Sequence, residues 1–136
     1  MEKIFKFLDE NVEVALATVE DNKPRIRIFQ VMKRVGETFF FATSSQKHVY
    51  SQIKENPYVE FTASKDNIFV RVAGKTDFDV DDAMGKAIYN ENPILQRLYA
   101  DYKQLVYFKI VPDALWYFDL TPTPPINEYY DLRKQK

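Results

Sequence analysis

Short runs of alternating apolar and polar residues, each closed by turn-forming residues, set the first limit on how this chain folds. Val12, Val14, Leu16 and Thr18 alternate with Glu13, Ala15, Ala17 and Val19, a period of two that puts one set on each face of a strand. Glu20-Asp21-Asn22-Lys23-Pro24 reads as a turn. Arg25 to Val35 then reads as a second, longer strand, so the two form a hairpin. After Gly36, Thr38 to Thr43 (TFFFAT) is a third strand. Tyr58–Ser64 and Ile68–Asp79 flank the turn Lys65-Asp66-Asn67, and Leu105–Val111 and Leu115–Leu120 form two more strands broken at Pro112.

Helical spacing is confined to the gaps between these runs. Glu2 to Glu10 gathers Ile4, Phe5, Phe7 and Leu8 on one face. Gln46 to Asn56 carries an inward stripe of Val49, Tyr50 and Ile53, with Thr43, Ser44 and Ser45 as capping residues and Asn56-Pro57 as its stop. Val80–Asn90 and Pro93–Tyr102 complete the set. The expected fold is mainly β, an antiparallel barrel of about six or seven strands with three or four helices packed outside. Residues 1–120 read as one domain. Residues 121–136 read as a Pro-rich, charged tail that is extended, either a frayed terminus or an arm laid on a partner.

Composition removes whole classes of function. The chain has 136 residues and no cysteine, so disulfides, thiolate nucleophiles and zinc ribbons are excluded. One histidine, His48, leaves no multi-histidine metal site, and no metal is expected. Three glycines cannot build a GxGxxG turn or a phosphate-binding P-loop. The net charge of −1 gives no general attraction to a nucleic-acid backbone. The opening MEKIFKFLDENVEV lacks the apolar core of a signal peptide, and no apolar run reaches the ~20 residues of a membrane helix. The expectation is a cytoplasmic protein with neither membrane nor nucleic acid as partner. Aromatics are 15% of the chain, which suits sheet surfaces, an interface or a planar ligand.

Two segments carry candidate chemistry. Arg25 and Arg27 stand at i and i+2, so both guanidinium groups point to one side of a strand, where two forks suit phosphate. Read alone, the pair is also compatible with an exposed strand face. Thr43-Ser44-Ser45-Gln46-Lys47 leads from a strand into a helix start, which supplies unpaired N–H groups and hydroxyls. Lys47 in the first helical turn opposes the helix dipole, and a bound anion would offset that. His48 reads as a neutral, partly exposed imidazole, and Trp116 as a core or interface residue. Asp77, Asp79, Asp81 and Asp82 lack the spacing of a calcium loop and read as helix-capping residues.

The order of PRIRIF, FFFATSSQK, IKENPYVEF and FVRVAGKTDF resembles the pyridoxamine 5′-phosphate oxidase-like flavin-binding split-barrel family. Ser45-Gln46-Lys47 matches its Ser-x-Lys helix start, and Asn56-Pro57-Tyr58-Val59 its Asn-Pro entry to the next strand. The likeness spans roughly Val12 to Phe78, with a looser echo at Val111 to Trp116. It implies a split barrel that forms a homodimer and binds FMN at the subunit interface. By that resemblance Arg27, Thr43, Ser44, Gln46 and Lys47 hold the phosphate and ribityl chain, with Arg25 beside them. Ile28 and Phe29 meet the ring through their backbone, and Trp116 is an aromatic near the flavin. Pyridoxine-type oxidases end in an Arg-Leu-His-Asp-Arg segment where this chain has TPTPPINEYYDLRKQK, so oxidation of pyridoxine phosphate is not the expected reaction. Phe69 stands where the family has a flavin-contacting glutamine. The third strand ends Phe41-Ala42-Thr43, where nitroimidazole reductases of the superfamily carry a histidine.

Two readings stay open at this stage. One is an FMN-dependent oxidoreductase that uses a nicotinamide-type donor on a small organic substrate. The other is a non-catalytic protein that binds flavin or a small ligand, or senses redox state. Both need the same site.

Overall fold

The computed structural model describes residues 1–133, so Lys134, Gln135 and Lys136 of the expected tail lie outside the described residues. Eight strands form one antiparallel sheet that does not close: β1 (Glu13–Glu20), β2 (Lys23–Gln30), β3 (Lys33–Val35), β4 (Thr38–Thr43), β5 (Tyr58–Lys65), β6 (Ile68–Asp77), β7 (Val106–Asp119) and β8 (Ile126–Asp131). Four helices sit around it: α1 (Glu2–Glu10), α2 (His48–Glu55), α3 (Asp82–Glu91) and α4 (Pro93–Leu98). The architecture is a split barrel with peripheral helices.

The order across the sheet is β2-β1-β5-β6-β7-β4-β3, with β8 also on β7. Two of its hairpins, β1–β2 and β5–β6, turn through two residues each. Asp21 and Asn22 have φ of 51° and 59°, Asp66 and Asn67 of 52° and 65°. Left-handed backbone at both positions matches strand twist, and Asp and Asn tolerate it. The first turn is thus shorter than the five residues expected. Pro24 falls inside β2, where the sheet's edge does not need its missing N–H.

The expected strand from Arg25 to Val35 is two strands. Val31 N–H donates to Val12 O at 2.8 Å, and Met32 N–H donates to Phe40 O at 2.9 Å. Adjacent residues therefore tie to opposite ends of the sheet order, and the chain steps from one edge to the other. The expected break at Pro112 is absent. β7 runs through it for fourteen residues. A register shift between Ala73 and Gly74 takes up the irregularity, pairing Ala73 with Ala114 and Gly74 with Pro112. On its other side β7 pairs with β4 through Ile110 and with β8 from Ala114 on, so Pro112 falls in the gap between them. Part of the expected tail is β8, and Leu132 beyond it is fully buried.

The centre of TFFFAT is apolar because both its faces are covered. Phe39 and Phe41 enter the main core, while Phe40 and Ala42 face Ile88 of α3 and Leu95 of α4. Phe41 stacks on Phe108 at 5.3 Å, and Phe61 meets Phe39 and Phe41 edge-on at 5.2 and 5.6 Å. Much of the aromatic surplus is thus core. The acidic cluster serves α3, where Asp81 Oδ1 accepts the Met84 N–H at 2.8 Å.

At the bulge Gly74 is tight against β7. An added Cβ would lie 2.5 Å from Val111 O and 3.2 Å from Pro112 Cα, both backbone atoms that cannot swing away. Gly74→Ala is therefore expected to destabilise the fold by roughly 1–3 kcal/mol. A chemical melt in which Gly74→Ala matches the parent protein would show that the bulge is not the tight point described.

Candidate functional site

On β2 the residues paired with the inward side of β1 are Arg25, Arg27 and Phe29, opposite Thr18, Leu16 and Val14. Phe29 packs edge-on against Phe41 and Phe108, both at 5.9 Å, which fixes this end of the strand. Arg27 comes next. Its Nη1 donates to Leu16 O at 3.1 Å and Thr18 Oγ1 at 2.8 Å, and its Nη2 donates to Gln52 Oε1 at 2.6 Å. Thr18 Oγ1–H donates to the same Gln52 oxygen at 2.6 Å. Burial lowers the Arg27 pKa from its usual value, opposed by the charge of Glu20, and the group stays cationic at any ordinary pH. These bonds occupy three of the five guanidinium N–H groups, leaving two for a ligand.

The chain from β4 into α2 forms the facing rim. Thr43 is 2% exposed, and its hydroxyl is buried with no hydrogen-bond partner among the described residues. Ser44 Oγ accepts the Gln46 N–H at 3.2 Å, and Ser44 O accepts the Lys47 N–H at 3.0 Å. α2 begins at His48, two residues later than the sequence implies. Lys47 is its cap residue, in extended backbone, rather than a member of the first turn. Its ammonium is exposed, and no carboxylate pairs with it among the described residues.

Between these rims lies a cleft of ≈ 280 Å³ lined by Arg27, Ile28, Phe29, Thr43 and Lys47. Its other wall is apolar and comes from α4 and beyond, including Leu95, Leu98 and Tyr99. Five of the nine sequence-predicted residues therefore share one cleft. Ser44 and Gln46 lie on the loop that borders it. Arg25 does not join, since its Nε donates to Glu20 at 3.2 Å on the surface.

Trp116 lies apart, on the outer sheet face. The Arg71 guanidinium sits 4.0 Å above its ring, the Tyr129 ring is at 5.2 Å, and it borders two shallow depressions of ≈ 590 and ≈ 380 Å³. None of the cleft's lining residues reaches either one.

Two residues that hold Arg27 escape the sequence reading. Gln52 is 4% exposed and Thr18 1%. The signal for Gln52 is its spacing: it lies three residues after Val49 and directly before Ile53, on the apolar stripe of α2. A polar residue there needs a buried partner. Chemically, the cleft is lined by one fixed cation, one mobile cation, the exposed Glu13 carboxylate and the Gln30 amide beside an apolar wall, with the Thr43 hydroxyl buried at its edge. That arrangement fits an anion carrying a planar or apolar body.

A family model described as pyridoxamine 5′-phosphate oxidase matches residues 1–117. No curated protein matches the chain. Among solved structures, a NimC/NimA family protein from Clostridium acetobutylicum aligns with a TM-score of 0.82 at 20% identity, covering 97% of this chain and 92% of that one. General stress protein 26 from Bacillus anthracis str. Sterne aligns at 0.79 and 24% identity, covering 96% and 97%. A pyridoxamine 5′-phosphate oxidase-related, FMN-binding protein from Nostoc punctiforme aligns at 0.78 and 16% identity, covering 96% and 89%. At these identities the likeness concerns the fold.

The free Thr43 hydroxyl yields a prediction. Thr43→Val keeps the side chain's shape and removes an unsatisfied buried polar atom, so the ligand-free protein should gain about 1 kcal/mol in a denaturant melt. Loss of stability in Thr43→Val would mean that the hydroxyl already has a partner.

Proposed function

Since this chain belongs to the pyridoxamine 5′-phosphate oxidase family, we propose that the cleft between β2 and the β4–α2 loop binds FMN and that the protein is a flavin-dependent oxidoreductase. One observation carries the reading: Arg27, Lys47 and Thr43 line one cleft whose opposite wall is apolar, and the buried Thr43 hydroxyl has no partner among the described residues. Arg27 and Lys47 would hold the phosphate, with Thr43, Ser44 and Gln46 along the ribityl chain. The backbone of Ile28 and Phe29 would meet the ring. Bound flavin supplies the redox chemistry. The chain's own part is to fix the anion, exclude water along the Leu95–Tyr99 wall and leave one side open to a small organic substrate. A nicotinamide-type donor belongs to the same proposal, as does a reaction other than oxidation of pyridoxine phosphate.

A second copy of the chain is part of the reading. The cleft falls just under the ~300–1,000 Å³ usual for small-molecule sites. Beside it Ile26 and Ile28 are 70% and 68% exposed on the outer side of β2, next to half-buried Ala15 and Ala17 of β1. Apolar side chains side by side on an open sheet favour cover by another subunit. Sedimentation of the flavin-loaded protein is expected to give a dimer, and a monomer with full flavin occupancy would remove the interface from the proposal.

Purified protein mixed with FMN should show a protein-bound flavin spectrum and bind FMN more tightly than riboflavin, which lacks the phosphate. Equal affinity for the two would show that the basic residues are not a phosphate site. NAD(P)H oxidation by the loaded protein separates the oxidoreductase from a binding or redox-sensing protein, since the latter gives none. Lys47→Ala should weaken FMN binding about ten- to hundredfold, the worth of one charge-assisted phosphate contact, and make the remaining affinity less sensitive to salt. His48→Ala should leave binding nearly unchanged. Release of flavin by the His48 change alone would misplace the phosphate.

A further inference from the structure

We propose that Gln52 is a positioning residue of the anion site: its neutral carbonyl fixes the direction of Arg27 while leaving the guanidinium charge available to a ligand anion. The inference rests on the anion-binding reading of the cleft and assigns it a part that no residue lining the cleft supplies.

The contrast with four of the other five arginines carries the argument; the fifth, Arg97, is exposed to solvent and has no ion pair among the described residues. Arg25 pairs with Glu20, Arg34 with Asp9, Arg71 with Glu60 and Arg133 with Asp131, at 2.6 to 3.3 Å. Arg27 pairs with no carboxylate among the described residues. Its acceptors are the Leu16 carbonyl, the Thr18 hydroxyl and the Gln52 carbonyl, all neutral. A half-buried cation held this way lacks the compensation that a carboxylate would give. Glutamate differs from glutamine at this position by one atom and would be the stronger acceptor for a guanidinium. For the ligand-free protein alone, glutamine is thus the weaker choice. It is the better choice for an anion site, because a carboxylate at 2.6 Å would cancel the field that attracts the anion.

Gln52 also carries the geometry. Its one oxygen accepts from both Thr18 of β1 and Arg27 of β2 at 2.6 Å. It stands five residues after Lys47 in the same helical segment. The clasp therefore sets the β4–α2 loop against β2 as well as aiming Arg27.

The test compares FMN and riboflavin, which share a ring and differ by the phosphate. Binding of each is titrated to the full chain, and to Gln52→Glu and Gln52→Met, by quenching of flavin fluorescence, with thermal melting in parallel. Gln52→Glu is expected to melt no lower than the parent, to lose about tenfold or more in FMN affinity, and to bind riboflavin as before. A purely structural glutamine would change both affinities together. An unchanged preference for FMN over riboflavin in Gln52→Glu overturns the proposal. Should Gln52→Glu fail to fold, Gln52→Met decides: a preference reduced severalfold supports the proposal and an unchanged one overturns it. If the parent protein shows no preference for FMN, the flavin reading falls and inorganic phosphate decides the inference separately. Phosphate that raises the melting temperature of the parent but not of Gln52→Glu supports it; equal shifts, or none, overturn it.

Discussion

The shared strand β7 is the constraint on which the other elements depend. At about 3.3 Å per residue its fourteen residues extend about 46 Å, longer than any partner except by combination. β6 lines one side along most of its length, and β4 and β8 divide the other side end to end. A twisted sheet cannot keep so long a strand straight, and the bulge opposite Gly74 lets it bend between its two halves. The half that pairs with β4 brings Phe108 onto Phe41 and so closes the aromatic core. The other half carries Trp116 outward toward β8. The split of the barrel and the separation of Trp116 from the cleft thus have one cause.

The site follows from how the sheet ends. β2 and β3 are consecutive in the chain yet lie at opposite ends of the sheet order. The step at Val31–Met32 holds the end of β2 to β1 and the start of β3 to β4. It also brings Arg27 of β2 and Thr43 of β4, distant in pairing order, to the walls of one cleft. A fully closed barrel would have satisfied those edges with backbone hydrogen bonds and left no room for a ligand.

What the sequence revealed was mostly local. α1 is found over the expected residues because its amphipathic stripe needs nothing outside nine positions. Both Asp-Asn turns are where the residue types require them. The errors have long-range causes. Pro112 is a strand breaker unless a bulge and a gap between partners excuse its missing N–H, and both depend on strands far away in sequence. β8 hides behind three prolines, and only β7 gives Ile126–Asp131 something to pair with. In the candidate site, charge and residue order single out Arg27, Thr43 and Lys47, which line one cleft. Lys47 lies two positions earlier relative to α2 than the expected start at Gln46 implies, because the hydroxyls before it do not cap the helix. Gln52 carries no such signal in charge or residue order, because its partners Thr18 and Arg27 are 34 and 25 residues away.

The two cations of the cleft differ in how firmly they are held. Arg27 is held by three acceptors on two strands and a helix, so its remaining donors point in a set direction and lose little freedom when a ligand arrives. Lys47 ends a flexible stem in solvent, where its attraction is screened by salt and its geometry adapts. A rigid fork can discriminate the shape of an anion; a loose ammonium can only raise its local concentration and follow it in. Thr43 belongs with the rigid partner: it ends β4, beside the strand's aromatic core, and its buried hydroxyl has no hydrogen-bond partner among the described residues, an unmet cost of desolvation. The directional groups therefore sit on the sheet, and the adaptable one on the loop that borders the cleft.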